Sequence, residues 1–294
     1  VLSSVSGPEL ARWRKETIAS VAGSDISPAE VDRFLRGVSD LDSLSLRLGS
    51  FADRASISLR FPWTEIQQRW RRRVIDRCPL QYLIESVTWR DFTLKVSPAV
   101  LIPRPETESL IDLVLENVDR DAPGNWVDLG TGSGAIAIGL AKELINARIY
   151  AVDSSESALA IARENAAGTG TGDRISLYLG SWWSPIDFLR GEVNGMVSNP
   201  PYIPTSDLAG LQPEVIAHEP RSALDGGNDG LVAIRHLIDT APDYLRSGCL
   251  WLIEMMAGQG EQVAELLERN GKYEKIEILP DLAGFDRYAI ARRI

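Results

Sequence analysis

Apolar residues along this chain change their period near residue 105. Before that point Leu41, Leu44 and Leu48, and then Trp63, Ile66, Trp70 and Val74, recur three or four apart, the spacing of one helix face. Helices are predicted over 8–21, 28–38, 40–49 and 62–77, with proline near the start of three of them. They form a small bundle in which the tryptophans are core. Strands predicted at 87–92 and 94–96 make a hairpin that leads out of it. From 106 onward, helices at 106–116, 135–144, 156–167, 230–245 and 259–269 alternate with strands at 126–129, 148–152, 175–179, 195–198 and 249–255. A terminal hairpin is expected from 273–279 and 287–292. This alternation is the signature of a mostly parallel sheet covered by helices on both faces. The expected organisation is therefore a helical domain over 1–85, a hairpin linker over 86–105 and an α/β domain over 106–294.

Two segments carry candidate chemistry. The apolar run 195–198 ends in Asn199-Pro200-Pro201-Tyr202, which cannot continue a strand because consecutive prolines donate no backbone hydrogen bond and fix φ. The chain must leave the sheet as a rigid loop at the carboxyl edge, where open α/β sheets bind their ligands. There the Asn199 amide and the Pro200 carbonyl offer acceptors to a planar NH2 group. By itself such a segment is also a common turn. Upstream, however, Val127-Asp128-Leu129 runs into Gly130-Thr131-Gly132-Ser133-Gly134-Ala135. Glycines let the backbone pass close to a ligand and adopt positive φ. The strand 148–152 then ends in Asp153, placed to accept hydrogen bonds from ribose hydroxyls. The glycine loop fits the dinucleotide pattern G-x-G-x-x-G/A as well as the tighter G-x-G-x-G loop of enzymes that use S-adenosylmethionine. Asn-Pro-Pro-Tyr separates the two, since hydride transfer has no use for it.

With these motifs the chain resembles the class I methyltransferases that modify NH2 groups. A further segment, Leu101-Ile102-Pro103-Arg104-Pro105-Glu106-Thr107-Glu108, narrows the resemblance to the HemK/PrmC family, the glutamine N5-methyltransferases of peptide chain release factors. Pro79-Leu80-Gln81-Tyr82, His218-Glu219-Pro220, Ala223-Leu224-Asp225-Gly226-Gly227 and Asp281-Leu282-Ala283-Gly284 match too, so the likeness spans 79–287. It implies a Rossmann-like, seven-stranded, mostly parallel sheet whose last strand is antiparallel, with 106–294 as the catalytic domain and the helical 1–85 recognising substrate. It implies S-adenosylmethionine as cofactor, held by Gly130, Thr131, Gly132, Ser133, Gly134, Asp153 and Asn199. Catalysis and substrate binding fall to Asn199, Pro200, Pro201 and Tyr202, acting on the glutamine of a Gly-Gly-Gln motif. Arg104 and Glu106 would shape the pocket, although an acidic residue at a helix start also suits the helix dipole. The chain departs from related enzymes at Gly180-Ser181-Trp182-Trp183, where an acidic adenine partner is common; Trp182 is expected to stack on the adenine instead. Phe285 stands where arginine is frequent.

Composition narrows the alternatives. The chain has 294 residues and a net charge of −10, with 44% hydrophobic and 24% charged residues, as in an ordinary soluble protein. The first 90 residues hold 14 basic against 11 acidic side chains and the remainder 17 against 30. An acidic catalytic domain repels polyanions, which disfavours the rival reading, methylation of an exocyclic amine in DNA or RNA. The cluster Arg69, Arg71, Arg72, Arg73 and Arg77 is read as the solvated face of a helix in preference to an RNA contact. Cys78 and Cys249 are too few for a disulfide framework. His218 and His236 are the only histidines; no metal spacing is present, and His218 is assigned a structural role. Without an apolar leader or a run of membrane-spanning length, a monomeric cytoplasmic enzyme is expected, with no membrane and no direct nucleic-acid partner.

Overall fold

Capping side chains set the first helices in the computed structural model, which describes residues 3–294. Ser6 accepts from the Glu9 amide at the start of α1 (Gly7–Ser20). Ser27 and Glu30 form a reciprocal capping box on α2 (Pro28–Val38). Asp42 caps α3 (Ser43–Leu48), and Gly49 ends it at φ +69°. α4 (Trp63–Ile75) and α5 (Leu80–Ile84) follow. The strands β1 (Ser3–Val5) and β2 (Ile57–Leu59), too short to leave a period in the sequence, pair antiparallel.

Three of the expected core positions are corrected. Leu44 and Leu48 are exposed and Leu46 is buried, because capping at Asp42 leaves α3 only six residues long. Val74 is also exposed; the buried row of α4 is Ile66, Trp70 and Arg73. A guanidinium can occupy that row because it is paired on two sides, with Glu30 and Glu214, each at 2.7 Å. Arg77 also reaches Glu214, at 2.8 Å, and Arg69 binds Glu65 and Glu85, both at 2.7 Å. The arginine cluster is thus largely an internal ion-pair network, with Arg71 and Arg72 left on the surface. This unit extends to Ser86 and takes in the distant segment Pro213–His218, which supplies Glu214.

The second unit holds Val87–Gln212 and Glu219–Ile294. Its hairpin of β3 (Ser86–Trp89) and β4 (Phe92–Lys95) turns at Arg90-Asp91, two to three residues earlier than the apolar pattern suggests. Arg90 is left-handed at φ +52°; its amide donates to Glu108 Oε1 at 3.0 Å and its guanidinium pairs with Asp112 at 2.8 Å, which pins the turn. After α6 (Ser109–Asn117) the chain alternates through β5 (Gly124–Leu129), α7 (Ala135–Glu143), β6 (Ala147–Asp153), α8 (Glu156–Gly168), β7 (Ile175–Leu179) and β8 (Val193–Ser198). There follow α9 (Pro213–His218), α10 (Val232–Thr240), β9 (Leu245–Glu254), α11 (Gly260–Asn270), β10 (Tyr273–Pro280) and β11 (Asp286–Arg293). α10 is shorter than expected because the chain tightens to a 3-10 turn at Ala241–Asp243, where Pro242 lacks an N–H, and β9 begins at Leu245.

Among the described residues these strands form one seven-stranded sheet in the order β10-β11-β9-β8-β5-β6-β7, in which six strands share one direction and β11 is reversed. Alternation places Trp126, Leu250 and Leu252 on the face covered by α6 and α7, and Val127, Leu129, Trp251 and Ile253 on the face covered by α10 and α11. Asp128 and Glu254 belong by the same alternation to the α6/α7 side. Gly195 lies opposite Trp126 in the β5–β8 register, and a Cβ there would sit 2.3 Å from the indole. Gly195→Ala should therefore destabilise the protein by about 1–3 kcal/mol through overpacking, read as a lowered urea midpoint; an unchanged midpoint would mean the indole has room to move. Among the described residues no helix is long and apolar enough to cross a membrane.

Candidate active site

The sheet order turns at β5, whose neighbours β6 and β8 are followed by loops that splay apart and open a crevice at the carboxyl edge. The cavity there is lined by Gly130, Gly132, Asp153, Trp182, Asn199 and Pro201 among the residues expected from sequence, and also by Ala99, Val100, Leu101, Ser154 and Ser222. Gly130, Gly132 and Gly134 adopt φ of +80°, +54° and +85°. A Cβ at Gly132 would enter open space, whereas one at Gly130 would approach the Trp182 ring at 3.9 Å and the Asn199 carbonyl at 4.0 Å. Trp182 itself is left-handed, φ +50°, which costs a bulky residue energy and marks it as held in place. Thr131 and Ser133 are buried within the loop.

Asp153 accepts from the Gly132 amide through Oδ2 at 2.8 Å and from the Ser155 amide through Oδ1 at 2.9 Å. Each oxygen keeps a lone pair for a hydroxyl in the cavity. Asp128 is different. Its Oδ2 accepts from the Thr131 hydroxyl (2.6 Å) and the Ala137 amide (3.0 Å), and its Oδ1 is buried with no partner among the described residues. Burial raises its pKa to about 7 in spite of those donors. Because the folded value lies above the unfolded 3.8, the stability contributed by neutral Asp128 is complete below about pH 4 and is lost as pH rises to about 7, roughly 4 kcal/mol in all. Asp128→Asn should therefore gain stability relative to the wild type as pH rises from 4 to 8. Urea midpoints measured across that range check this; a constant difference between the two would contradict it.

The Asn-Pro-Pro-Tyr loop is held from behind. Ser198 donates to the Leu129 carbonyl at 2.6 Å, tying the ends of β8 and β5 together. Asn199 Nδ2 donates to Thr107 Oγ1 at 3.1 Å, and Thr107 Oγ1 donates to Glu254 Oε2 at 2.7 Å. The other Glu254 oxygen accepts from the Tyr202 hydroxyl at 2.9 Å, and Gln259 Nε2 donates to the Tyr202 carbonyl at 3.0 Å. Burial pushes the Glu254 carboxyl upward, opposed by its Thr107 and Tyr202 donors and by the Arg287 charge; burial and Glu254 also raise Tyr202. Asn199 Oδ1 and the Pro200 and Pro201 carbonyls accept no hydrogen bond from the described residues. The site therefore presents unpaired acceptors on a fixed loop beside the cavity. Pro200 is buried and Tyr202 half-buried, and of this loop Asn199 and Pro201 line the cavity whereas Pro200 and Tyr202 sit behind it.

Other expected residues lie elsewhere. Arg104 Nη2 donates to both Glu219 oxygens at 2.7 Å, and Glu106 lies in the 3-10 turn leading to α6, where its carbonyl accepts from Tyr288. His218 Nε2 lies 2.6 Å from the Asp76 carbonyl, which can only accept, so the ring nitrogen donates and is committed there. Glu254 and Gln259 were missed from sequence. The signal for Glu254 was a carboxylate ending the apolar run Leu250-Trp251-Leu252-Ile253, where an unpaired charge would be costly. Among the described residues no group of His, Cys, Asp and Glu could hold a metal ion.

The family model described as methyltransferase small domain matches residues 107–277. Among similar curated proteins, one from Synechocystis sp. is 52% identical, covering 99% of this chain and 98% of its own length. Another, from Thermosynechococcus vestitus, is 48% identical, covering 98% of this chain and 99% of its own length. Both bear the name release factor glutamine methyltransferase. The catalytic domain of hMettl16, solved in complex with the MAT2A 3'UTR hairpin 6, aligns at TM-score 0.57 and 13% identity over 89% of each chain. At that identity the likeness concerns the fold alone.

Proposed function

This chain belongs to the release factor glutamine methyltransferase family, and we propose that it methylates the side-chain amide nitrogen of the glutamine in a release factor's Gly-Gly-Gln motif, with S-adenosylmethionine as donor. The observation that carries this reading is the Asn199 amide, whose Nδ2 is committed to Thr107 while Oδ1 remains a free acceptor among the described residues.

The glycine loop and Asp153 fit a nucleoside: the open space at the Gly132 Cβ position gives room for close approach, and the Asp153 oxygens suit ribose hydroxyls. Trp182 is the adenine stacking partner. When bound, the cofactor supplies a methyl group on a sulfonium, an electrophile that needs no Lewis acid. The protein must deal with the nucleophile, because an amide nitrogen's lone pair is delocalised into its carbonyl. Asn199 Oδ1 and the Pro200 carbonyl accept the two N–H bonds, so the nitrogen is polarised and aimed in one direction. Orientation of this kind supplies up to about 7–11 kcal/mol. No strong base is needed, since the proton becomes acidic once nitrogen has accepted the methyl, and it already faces an acceptor. Tyr202, its hydroxyl tied to Glu254, offers its ring to the glutamine stem.

The helical unit with its internal ion pairs is assigned to gripping the body of the release factor, and the reaction to the cytoplasm and to a monomer. The test of substrate class is competition. With labelled S-adenosylmethionine and equal amounts of release factor and duplex DNA, label should enter the protein; preferential labelling of DNA would support exocyclic-amine methylation and overturn the proposal.

A further inference from the structure

Asparagine is an ambiguous acceptor, because its amide carries an oxygen on one side and an NH2 on the other. Asn199 can receive a substrate N–H only if something fixes which side faces the cavity. Among the described residues its side-chain partner is the Thr107 hydroxyl at 3.1 Å, and a hydroxyl also acts both ways. The ambiguity ends at Glu254, whose Oε2 lies 2.7 Å from Thr107 Oγ1. Ionised, as its Thr107 and Tyr202 donors and the Arg287 charge favour against burial, Glu254 only accepts, so the Thr107 proton is committed to it. Thr107 then shows Asn199 a lone pair, and only the Nδ2 side can meet it. A rotated Asn199 would set oxygen against oxygen.

We infer that Glu254 and Thr107 are positioning residues that set the polarity of the Asn199 amide, holding Oδ1 toward the substrate nitrogen. The inference rests on the assignment of Asn199 proposed above. Neither residue lines the cavity, so they act through Asn199. Glu254 is itself fixed: Oε1 takes the Tyr202 proton at 2.9 Å, and Gln259 holds the Tyr202 carbonyl. Three segments far apart in sequence, the turn before α6, the loop after β8 and the end of β9, are thereby set by one buried carboxylate. A glutamine at 254 could preserve the arrangement, turning its oxygen to Thr107 and its amide nitrogen to Tyr202, whose hydroxyl can also accept. A leucine could not, and Thr107 would be free to donate to Asn199 and reverse it.

The test compares Thr107→Val, Thr107→Ser, Glu254→Leu, Glu254→Gln and the double variant Thr107→Val/Glu254→Leu in the full-length enzyme with purified release factor. Steady-state kinetics are paired with calorimetry of S-adenosylmethionine binding. Thr107→Val and Glu254→Leu should each lower kcat about tenfold, the loss of one oriented hydrogen bond. KM and cofactor affinity should stay within about twofold of the wild type. Thr107→Ser and Glu254→Gln should retain most of the activity, and the double variant should be no worse than either single one, because both break the same chain. A purely structural role would instead let the two losses multiply. Multiplied losses, wild-type kcat in Thr107→Val, or losses confined to KM or cofactor affinity would overturn the inference. If Thr107→Val does not fold, Glu254→Leu against Glu254→Gln decides: equal kcat values would overturn it. Should Asn199→Ala prove fully active, the assignment of Asn199 itself falls; should Asn199→Ala be inactive while Thr107→Val and Glu254→Leu remain normal, only the positioning role falls.

Discussion

Asn199→Ala will lower kcat for methyl transfer by about a hundredfold to a thousandfold, the loss seen when a preorganised partner of the reacting group is removed, while S-adenosylmethionine affinity stays within about twofold. The asymmetry follows from position. The glycine loop follows β5 and Asp153 ends β6, and they make their own hydrogen bonds, whereas Asn199 Oδ1 is committed to no described group of the protein. Asn199→Asp is the sharper variant. It keeps an acceptor of the same shape, but the Thr107 lone pair then faces an oxygen in place of Nδ2, so the introduced carboxylate would compete with Glu254 for the Thr107 proton. Activity should fall in this variant too. Single-turnover rates with calorimetry of cofactor binding separate chemistry from binding, and near-normal turnover in both variants would remove Asn199 from the mechanism.

Gly230→Ala should be nearly as damaging, by a different route. Gly230 has φ +74°, and a Cβ there would sit 2.3 Å from the Tyr202 carbonyl oxygen, 2.6 Å from Gln259 Nε2 and 3.1 Å from the Pro204 ring. The methyl group therefore invades the hydrogen bond by which Gln259 anchors the Asn-Pro-Pro-Tyr loop. The variant should lose about 2–4 kcal/mol of stability, combining left-handed strain with overpacking, and most of its activity. Gly271→Ala is the control: it has a similar φ, +70°, but nothing within 4 Å of the Cβ position, so only the strain of about 1–2 kcal/mol applies. Urea denaturation of the two variants measures the difference. Equal losses would show that the Tyr202 loop yields to the added methyl.

The α/β half of the molecule was legible because its central strands β5 and β8 are buried on both sides and read as apolar runs. Val127, Leu129 and their neighbours end at glycine or proline, so strand ends and ligand loops coincide. The helical half was less so. Periodicity at Leu44, Leu48 and Val74 pointed to a face that capping at Asp42 and ion pairing at Arg73 override. A buried arginine cannot be told from a solvated one until its partners are known, and Glu214 lies 141 residues away along the chain. The same limit hid the support of the site. Asn199, Asp153 and Trp182 stand in recognisable local patterns, but Glu254 acquires meaning only when the sheet brings β9 beside β8 and the turn before α6 supplies Thr107.

Tandem mass spectrometry of a release factor incubated with enzyme and isotope-labelled S-adenosylmethionine shows whether this cleft orients a glutamine amide nitrogen. One labelled methyl should map to the side-chain nitrogen of the Gly-Gly-Gln glutamine. A factor carrying glutamate at that position should take up none, because a carboxylate would meet Asn199 Oδ1 and the Pro200 carbonyl acceptor to acceptor. Label on any other residue, or undiminished label in the glutamate variant, would show that the cleft does not orient this amide.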